Sequence, residues 1–117
     1  MKNIDKRLDT AWSKLVKLKA DQQCEMCGFT VGLQSHHIYS RSNQSVRWLW
    51  RNGICLCDNC HKRAHNQVID FFDEIYKVRG YLQIKGLSAA AKELGKFTLH
   101  EKKEKLKFLE YQIKEYK

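Results

Sequence analysis

The sequence predicts a small α+β domain, a zinc-braced ββα hairpin-helix core flanked by helices at both ends. Three observations lead there. Two Cys-x-x-Cys pairs, Cys24 with Cys27 and Cys57 with Cys60, bracket the middle of the chain. Four of the five histidines, His36, His37, His61 and His65, fall between the pairs or just after the second one. On either side of this centre, apolar residues recur at helical intervals.

From Ile4 to Ala20 the apolar residues Ile4, Leu8, Trp12, Leu15 and Val16 repeat at three- and four-residue steps, so an amphipathic helix is expected, ending near Asp21. Its stripe should pack on the body of the metal centre. Lys14, Lys17 and Lys19 could touch phosphate, but a solvated face is the first expectation for any single lysine. The run Cys24-Glu-Met-Cys27-Gly28 has knuckle form, because two thiolates three residues apart can clasp one ion and glycine permits the tight turn. Joined with Cys57-Asp-Asn-Cys60 it predicts a four-cysteine structural zinc. The 29 residues between the pairs exceed the usual spacing, as if a functional insert lay between them.

Within that insert, Gln34–Tyr39 and Ile54–Leu56 read as two antiparallel strands, the second following the turn-prone Asn52-Gly53. Residues 41–50 form the connecting loop, with Trp48 and Trp50 as packing groups. A single helix is expected from Asp58 or Asn59 to about Arg79, on the spacing of Ala64, Val68, Phe71, Phe72, Ile75 and Tyr76. It places His61 and His65 on one face. Cys55 points to the opposite side of the sheet from Leu56 and reads as a small buried hydrophobe. Tyr81–Lys85 is expected to be extended, and Ser88-Ala-Ala-Ala to start a brief helix that ends near Gly95. Thr98-Leu-His-Glu101 has capping-box form. The last helix should present Leu106, Leu109, Ile113 and Tyr116 to the body and Lys102, Lys103, Lys105, Lys107 and Lys114 to water, packing within the chain rather than as a coiled coil. His100 lies outside the cluster and reads as a surface residue.

A length of 117 residues suits one domain, divided here into an N-terminal helix (1–22), a metal-braced core (23–79) and a helical extension (80–117). The chain has no proline, low-complexity block or internal repeat to separate two units. Lys and Arg number 22 against 13 Asp and Glu, a net charge of +9, which makes phosphate backbones the leading partner. No stretch reaches the roughly 18 apolar residues of a spanning helix, so no membrane role is expected. No apolar leader follows MKNIDKRLDT, which points to a reducing, cytoplasmic setting in which paired cysteines hold zinc rather than form disulfides.

Taken together, CEMCG, SHHI and RNGICLCDNCHKRAH resemble the HNH endonucleases, ββα-metal nucleases, in the subgroup braced by a zinc on two Cys-x-x-Cys knuckles. The likeness spans about Cys24 to His65. It implies a metal-dependent endonuclease acting on DNA, in phage or bacterial settings, with no organic cofactor. His37 then corresponds to the general base, His36 to the metal ligand before it, and Asn52 to the central asparagine that braces hairpin and base. His61 corresponds to the last motif histidine, a metal ligand, and His65 to a second helical ligand present in part of the family. The catalytic ion is expected to be Mg²⁺ or Mn²⁺, with Ni²⁺ or Zn²⁺ as alternatives.

The residue chemistry is consistent with those roles. Imidazole, with a free pKa of about 6.5, can take a proton from water near neutrality, and a divalent ion can offset charge on a scissile phosphate. Adjacent strand residues face opposite ways, so His36 and His37 should serve separate tasks. Taken singly, His37 reads as a hydrogen-bonded core histidine and Asn52 as a turn residue. Arg41, Arg47, Arg51, Lys62 and Arg63 are the expected DNA contacts, with Arg41 and Arg47 foremost. The alternatives are a zinc-stabilised DNA-binding module that does not cut and a protein-interaction zinc domain.

Overall fold

The computed structural model describes residues 2–93 and 95–116. In chain order it consists of α1 (Lys2–Lys19), β1 (Gln34–His37), a 3₁₀ turn (Trp50–Asn52), β2 (Gly53–Leu56), α2 (Asp58–Asn66), α3 (Val68–Arg79), α4 (Tyr81–Ala91) and α5 (Leu99–Lys114). The class is α+β, as expected.

Helix α1 ends where Asp21 and Gln22 take left-handed backbone angles (φ 58° and 57°), and the Gln22 N–H donates back to the Lys17 carbonyl at 2.9 Å. The strands pair antiparallel with Ser35 opposite Cys55, His36 opposite Ile54 and His37 opposite Gly53. Strand alternation gives the hairpin two differently dressed faces. Cys55 joins Leu8, Trp12, Leu15, Val16, Trp48, Leu106 and Leu109 in one core, whereas Ile54 and Leu56 join Cys24, Cys60, Ala64, Phe71 and Ile75 in another. Both faces of β2 are therefore buried. Cys55 is fully buried on the face opposite Leu56.

Gly53 is where α1 and the hairpin come closest. Its backbone is ordinary extended chain (φ −114°), so conformation does not require glycine. Space does: a β-carbon here would meet Val16 Cγ2 and lie 2.7 Å from Trp12 Cζ2.

The expected single helix over 58–79 is instead two helices, interrupted at Gln67 (φ −131°, ψ 60°). In a continuous helix Arg63 and Glu74, eleven residues apart, would be separated by about 16 Å along the axis. Here they form a two-pronged ion pair at 2.8 and 3.2 Å. Folding α3 back over α2 lets Cys60, Ala64, Phe71 and Ile75 share one core, and it turns Val68, Phe72 and Tyr76 outward. The spacing that suggested one long stripe thus belonged to two short ones.

A second correction concerns 81–85, which is helical rather than extended. Gly80, with φ 86°, closes α3 through its N–H to the Tyr76 carbonyl and reverses the chain, and α4 starts at once. Gly86 inside α4 costs roughly 1 kcal/mol of helix propensity, yet Ile84, Leu87 and Ala91 all become buried along one side. Burial outweighs propensity.

The capping box at Thr98 and Glu101 is formed, with both reciprocal bonds present. Leu106 and Leu109 pack α5 against α1, as expected for packing within the chain. Lys102 differs from the expectation of a wet lysine: it pairs with Asp5 at 2.8 Å and is 18% exposed. Tyr116 lies past the end of α5 and is exposed. His100 is exposed.

Candidate active site

The four knuckle cysteines converge from two places, the turn after α1 and the junction of β2 with α2. In the first, Gly28 (φ 81°) closes the turn through its N–H to the Cys24 carbonyl at 2.8 Å. In the second, Cys57 caps α2 and Cys60 lies one turn inside it. Their sulfurs all fall within 4.8 Å of one another, and Cys27 and Cys57 are 3.6 Å apart. A tetrahedral zinc with bonds of about 2.3 Å places its sulfurs about 3.8 Å apart, so the donor set fits that ion.

Burial works against ionising Cys24, but the backbone N–H groups of Cys57, Cys27 and Met26 outweigh it and bring the thiol down to about 7. Burial and the neighbouring Cys57 sulfur push Cys60 up to about 12. Four thiolates cannot crowd together without a positive partner. Cys55 is no ligand: it faces the other core, where burial and Glu25 raise it to about 11.

On the α2 side of the hairpin, His36 meets His61 and His65. Their rings lie 4.6–5.2 Å apart, and the His61 and His65 Nε2 atoms are 3.1 Å apart. One ring nitrogen from each falls within 4.8 Å of the others. Burial, then His61 and His65, push His36 down to about 4, and burial and His65 lower His61. Three imidazoles whose ring nitrogens converge in this way suit a divalent cation. Imidazole donors favour zinc, nickel, copper or iron over magnesium.

His37 faces the other way. Its ring stacks on Trp12 at 3.9 Å between centroids, with 7° between planes. Nε2 lies 3.1 Å from the Arg47 carbonyl oxygen. A carbonyl can only accept, so Nε2 carries the proton and Nδ1 keeps its lone pair. Burial lowers the pKa of His37, partly opposed by the bond to Arg47, so the ring is neutral at pH 7.

That carbonyl is itself held in place. The Arg47 guanidinium grips Asp9 of α1 at 2.8 and 3.1 Å, and Asp9 also accepts from Trp48 Nε1 at 2.8 Å. Trp12 Nε1 donates to the Leu49 carbonyl at 2.7 Å. The loop is thereby pinned to α1 at Arg47 and at the two residues that follow it.

Between β1 and α2 lies a groove of about 580 Å³, lined by His36, His37, His61, His65 and Arg41 among others. Asn52 does not line it. It is fully buried, and its side chain accepts from the Tyr39 N–H at 2.8 Å and donates to the Tyr39 carbonyl at 3.0 Å. It locks the chain leaving β1 and braces the hairpin, while its side-chain hydrogen bonds go to Tyr39.

The five cations expected to contact DNA divide into two groups. Arg41 (side chain 67% exposed) stands at the groove, Lys62 is exposed on α2, and Arg51 is exposed over Trp50. Arg47 is 12% exposed and committed to Asp9, and Arg63 is forked onto Glu74 over Phe71. Both serve the scaffold in this arrangement.

Sequence reasoning missed Asp9 and Trp12 as supports of His37, and also Glu25 and Arg79. Glu25, inside the first knuckle, accepts from the Cys55 N–H at 2.8 Å and from Arg79 at 3.0 and 3.1 Å. Arg79 also donates to the Gly53 carbonyl at 2.6 Å. No local signal marks pairs this distant in sequence; the one hint was a Trp and an Asp three residues apart on α1.

Among known proteins, the family model described as HNH endonuclease matches residues 24–67, from the first knuckle cysteine to the residue after α2. No curated protein and no solved structure matches the chain. Both cysteine pairs and all four clustered histidines lie inside the matched segment, so it is residues 24–67, the two knuckles with the hairpin and α2, that are similar to the HNH endonuclease family.

Proposed function

We propose that this protein is a metal-dependent endonuclease that hydrolyses DNA phosphodiester bonds, with the 117 residues acting as one domain. The observation that carries this reading is the arrangement of His37 against the other three histidines. Three imidazoles converge on one point, and a fourth, on the adjacent residue, is held by a carbonyl with Nδ1 left as a base.

His36, His61 and His65 would hold a divalent cation, and Cys24, Cys27, Cys57 and Cys60 a structural zinc. A divalent cation held by these three imidazoles would offset negative charge on the scissile phosphate and the leaving oxygen. His37 accepts at Nδ1 a proton from water as the water oxygen bonds to phosphorus and the phosphorus–oxygen bond to the departing sugar breaks. Arg47 and Trp12 keep the imidazole in its tautomer and orientation, and Asn52 keeps the strand end in place. Arg41 binds phosphate at the rim.

Supercoiled plasmid incubated with zinc-loaded protein and added magnesium, manganese or nickel tests this reading. Conversion to nicked or linear DNA that requires the added ion is expected. Binding without cleavage under every ion would leave a DNA-binding module in its place.

A further inference from the structure

Three of the molecule's grooves are neighbours. The histidine groove is walled on one side by Ser35, His37 and Arg41. Ser35 Oγ donates to the Ser13 carbonyl of α1 at 2.8 Å, and Arg41 lies 3.6 Å from Asp9. Asp9 and Ser13 in turn line a shallow groove along α1 with Lys14 and Lys17. Thr10 and Lys14 are shared with a larger groove of about 810 Å³ between α1 and α5, which adds Lys6, Arg7 and Lys114. A track of adjoining grooves therefore leads from the histidine site along α1, the first step bridged by the Ser35–Ser13 and Arg41–Asp9 contacts.

Its charge is lopsided. Among the described residues two anions line these grooves, and both are already matched: Asp9 by Arg47 and Arg41, and Glu110 by Arg7 at 3.9 Å. Lys6, Lys14 and Lys17 fall on one face of α1 and form no ion pair among the described residues. Lys19, two residues beyond Lys17, belongs elsewhere, over the Trp50 ring at 4.4 Å. The ridge from Lys6 to Lys17 extends about 16 Å at 1.5 Å per residue, the rise of roughly five nucleotides along one strand.

We propose that this ridge is a second arm of the nucleic-acid interface, in which Lys6, Lys14 and Lys17 hold the phosphates of duplex DNA flanking the bond at the histidine site. The proposal rests on the DNA reading above but not on cleavage. It places the duplex on a helix outside the segment that matches the family, and it moves the main phosphate contacts away from Arg47 and Arg63, whose guanidiniums are already engaged.

The test measures binding of a short duplex as a function of salt, in the His37→Ala background so that turnover cannot interfere. The triple change Lys6→Gln, Lys14→Gln, Lys17→Gln is compared with Lys77→Gln, Lys85→Gln, Lys92→Gln, an equal loss of charge on α3, on α4 and at the residue that follows α4, outside these grooves. Each lost phosphate contact should flatten the slope of log affinity against log salt by about 0.9 and weaken binding roughly eightfold at 0.1 M salt. The ridge triple should therefore lose two to three units of slope by this rule, and the control triple far less. Equal losses in both would make the effect one of general charge, and an unchanged slope in the ridge triple would remove α1 from the interface. Either result overturns the proposal. Plasmid cleavage by the wild type is read separately, so failure of the nuclease reading and failure of the ridge are told apart.

Discussion

Gly53→Ala places one methyl group where α1 and β2 touch. The new β-carbon would lie 2.7 Å from Trp12 Cζ2 and closer still to Val16 Cγ2, well inside ordinary contact distance. Both neighbours are 2% exposed, so neither can swing into water. The helix must back away from the hairpin or the Trp12 ring must turn. Overpacking of this kind costs about 1–3 kcal/mol. Unfolding entropy of about 2.1 cal/mol/K per residue gives roughly 0.25 kcal/mol per degree for a chain of 117 residues. The melting temperature of the zinc-loaded protein should fall by about 4–12 °C on that scale. The Trp12 ring is also the surface on which His37 stacks, so DNA cleavage should fall further than the lost folded fraction explains. Gly86→Ala is the internal control: nothing lies within 4 Å of its β-carbon, and it sits inside α4. There alanine should stabilise by about 0.5–1 kcal/mol. Calorimetry at fixed zinc reads both. An unchanged or raised melting temperature for Gly53→Ala would refute the close approach of β2 to α1.

Further expectations follow from the two clusters and their supports. Cys57→Ser should abolish stoichiometric zinc and unfold the domain, because structural zinc contributes on the order of 10 kcal/mol to small metallo-domains; a zinc-free variant that melts like the wild type would contradict the four-cysteine site. Asp9→Asn removes the charge that holds the Arg47 fork, so cleavage should drop by about tenfold or more while metal affinity at the histidine site stays unchanged; equal activity would show that the Arg47 carbonyl needs no such anchor. Without an ion in the histidine site, His36 and His37 have folded-state pKa values below the unfolded 6.5, so their neutral forms are favoured by folding and protons bind preferentially to the unfolded chain. Their contribution to stability is complete above pH 6.5 and is lost as the pH falls toward about 4, the value to which His36 is pushed. Denaturation followed across that window should show the decline, and a flat profile would mean that the imidazoles are solvated. For the same reason, cleavage should rise with pH through a step below 6.5 rather than at it.

The parts of this architecture that were legible in the sequence are those encoded locally. Helix α1, the knuckles, the hairpin and the Thr98 cap each rest on spacing or on residues a few positions apart, and each formed where expected, with β1 ending at His37 rather than Tyr39. The opposite orientations of His36 and His37 followed from strand alternation alone. The misreadings came where tertiary burial decided. Gln67 carries no breaker signature, and the chain turns there because α3 must fold back over α2 to bury Phe71 and Ile75. Gly86 resembled punctuation, yet Ile84 and Leu87 outvoted it. Among the cations, sequence position beside the base suggested Arg47 as a DNA contact; only the fold reveals that Asp9, 38 residues earlier, already holds it.

The central claim is that one histidine acts as base while three others hold a cation, and calorimetric titration of a divalent ion into zinc-loaded variants tests it most directly. His37→Ala should bind the ion with unchanged affinity, yet lose the roughly 10²–10⁴-fold in turnover that general base catalysis supplies. His61→Ala should bind it weakly and recover part of its cleavage at raised ion concentration. If His37→Ala lost the ion while His36→Ala kept it, or if both variants cut DNA like the wild type, the assignment of base and ligands would be contradicted.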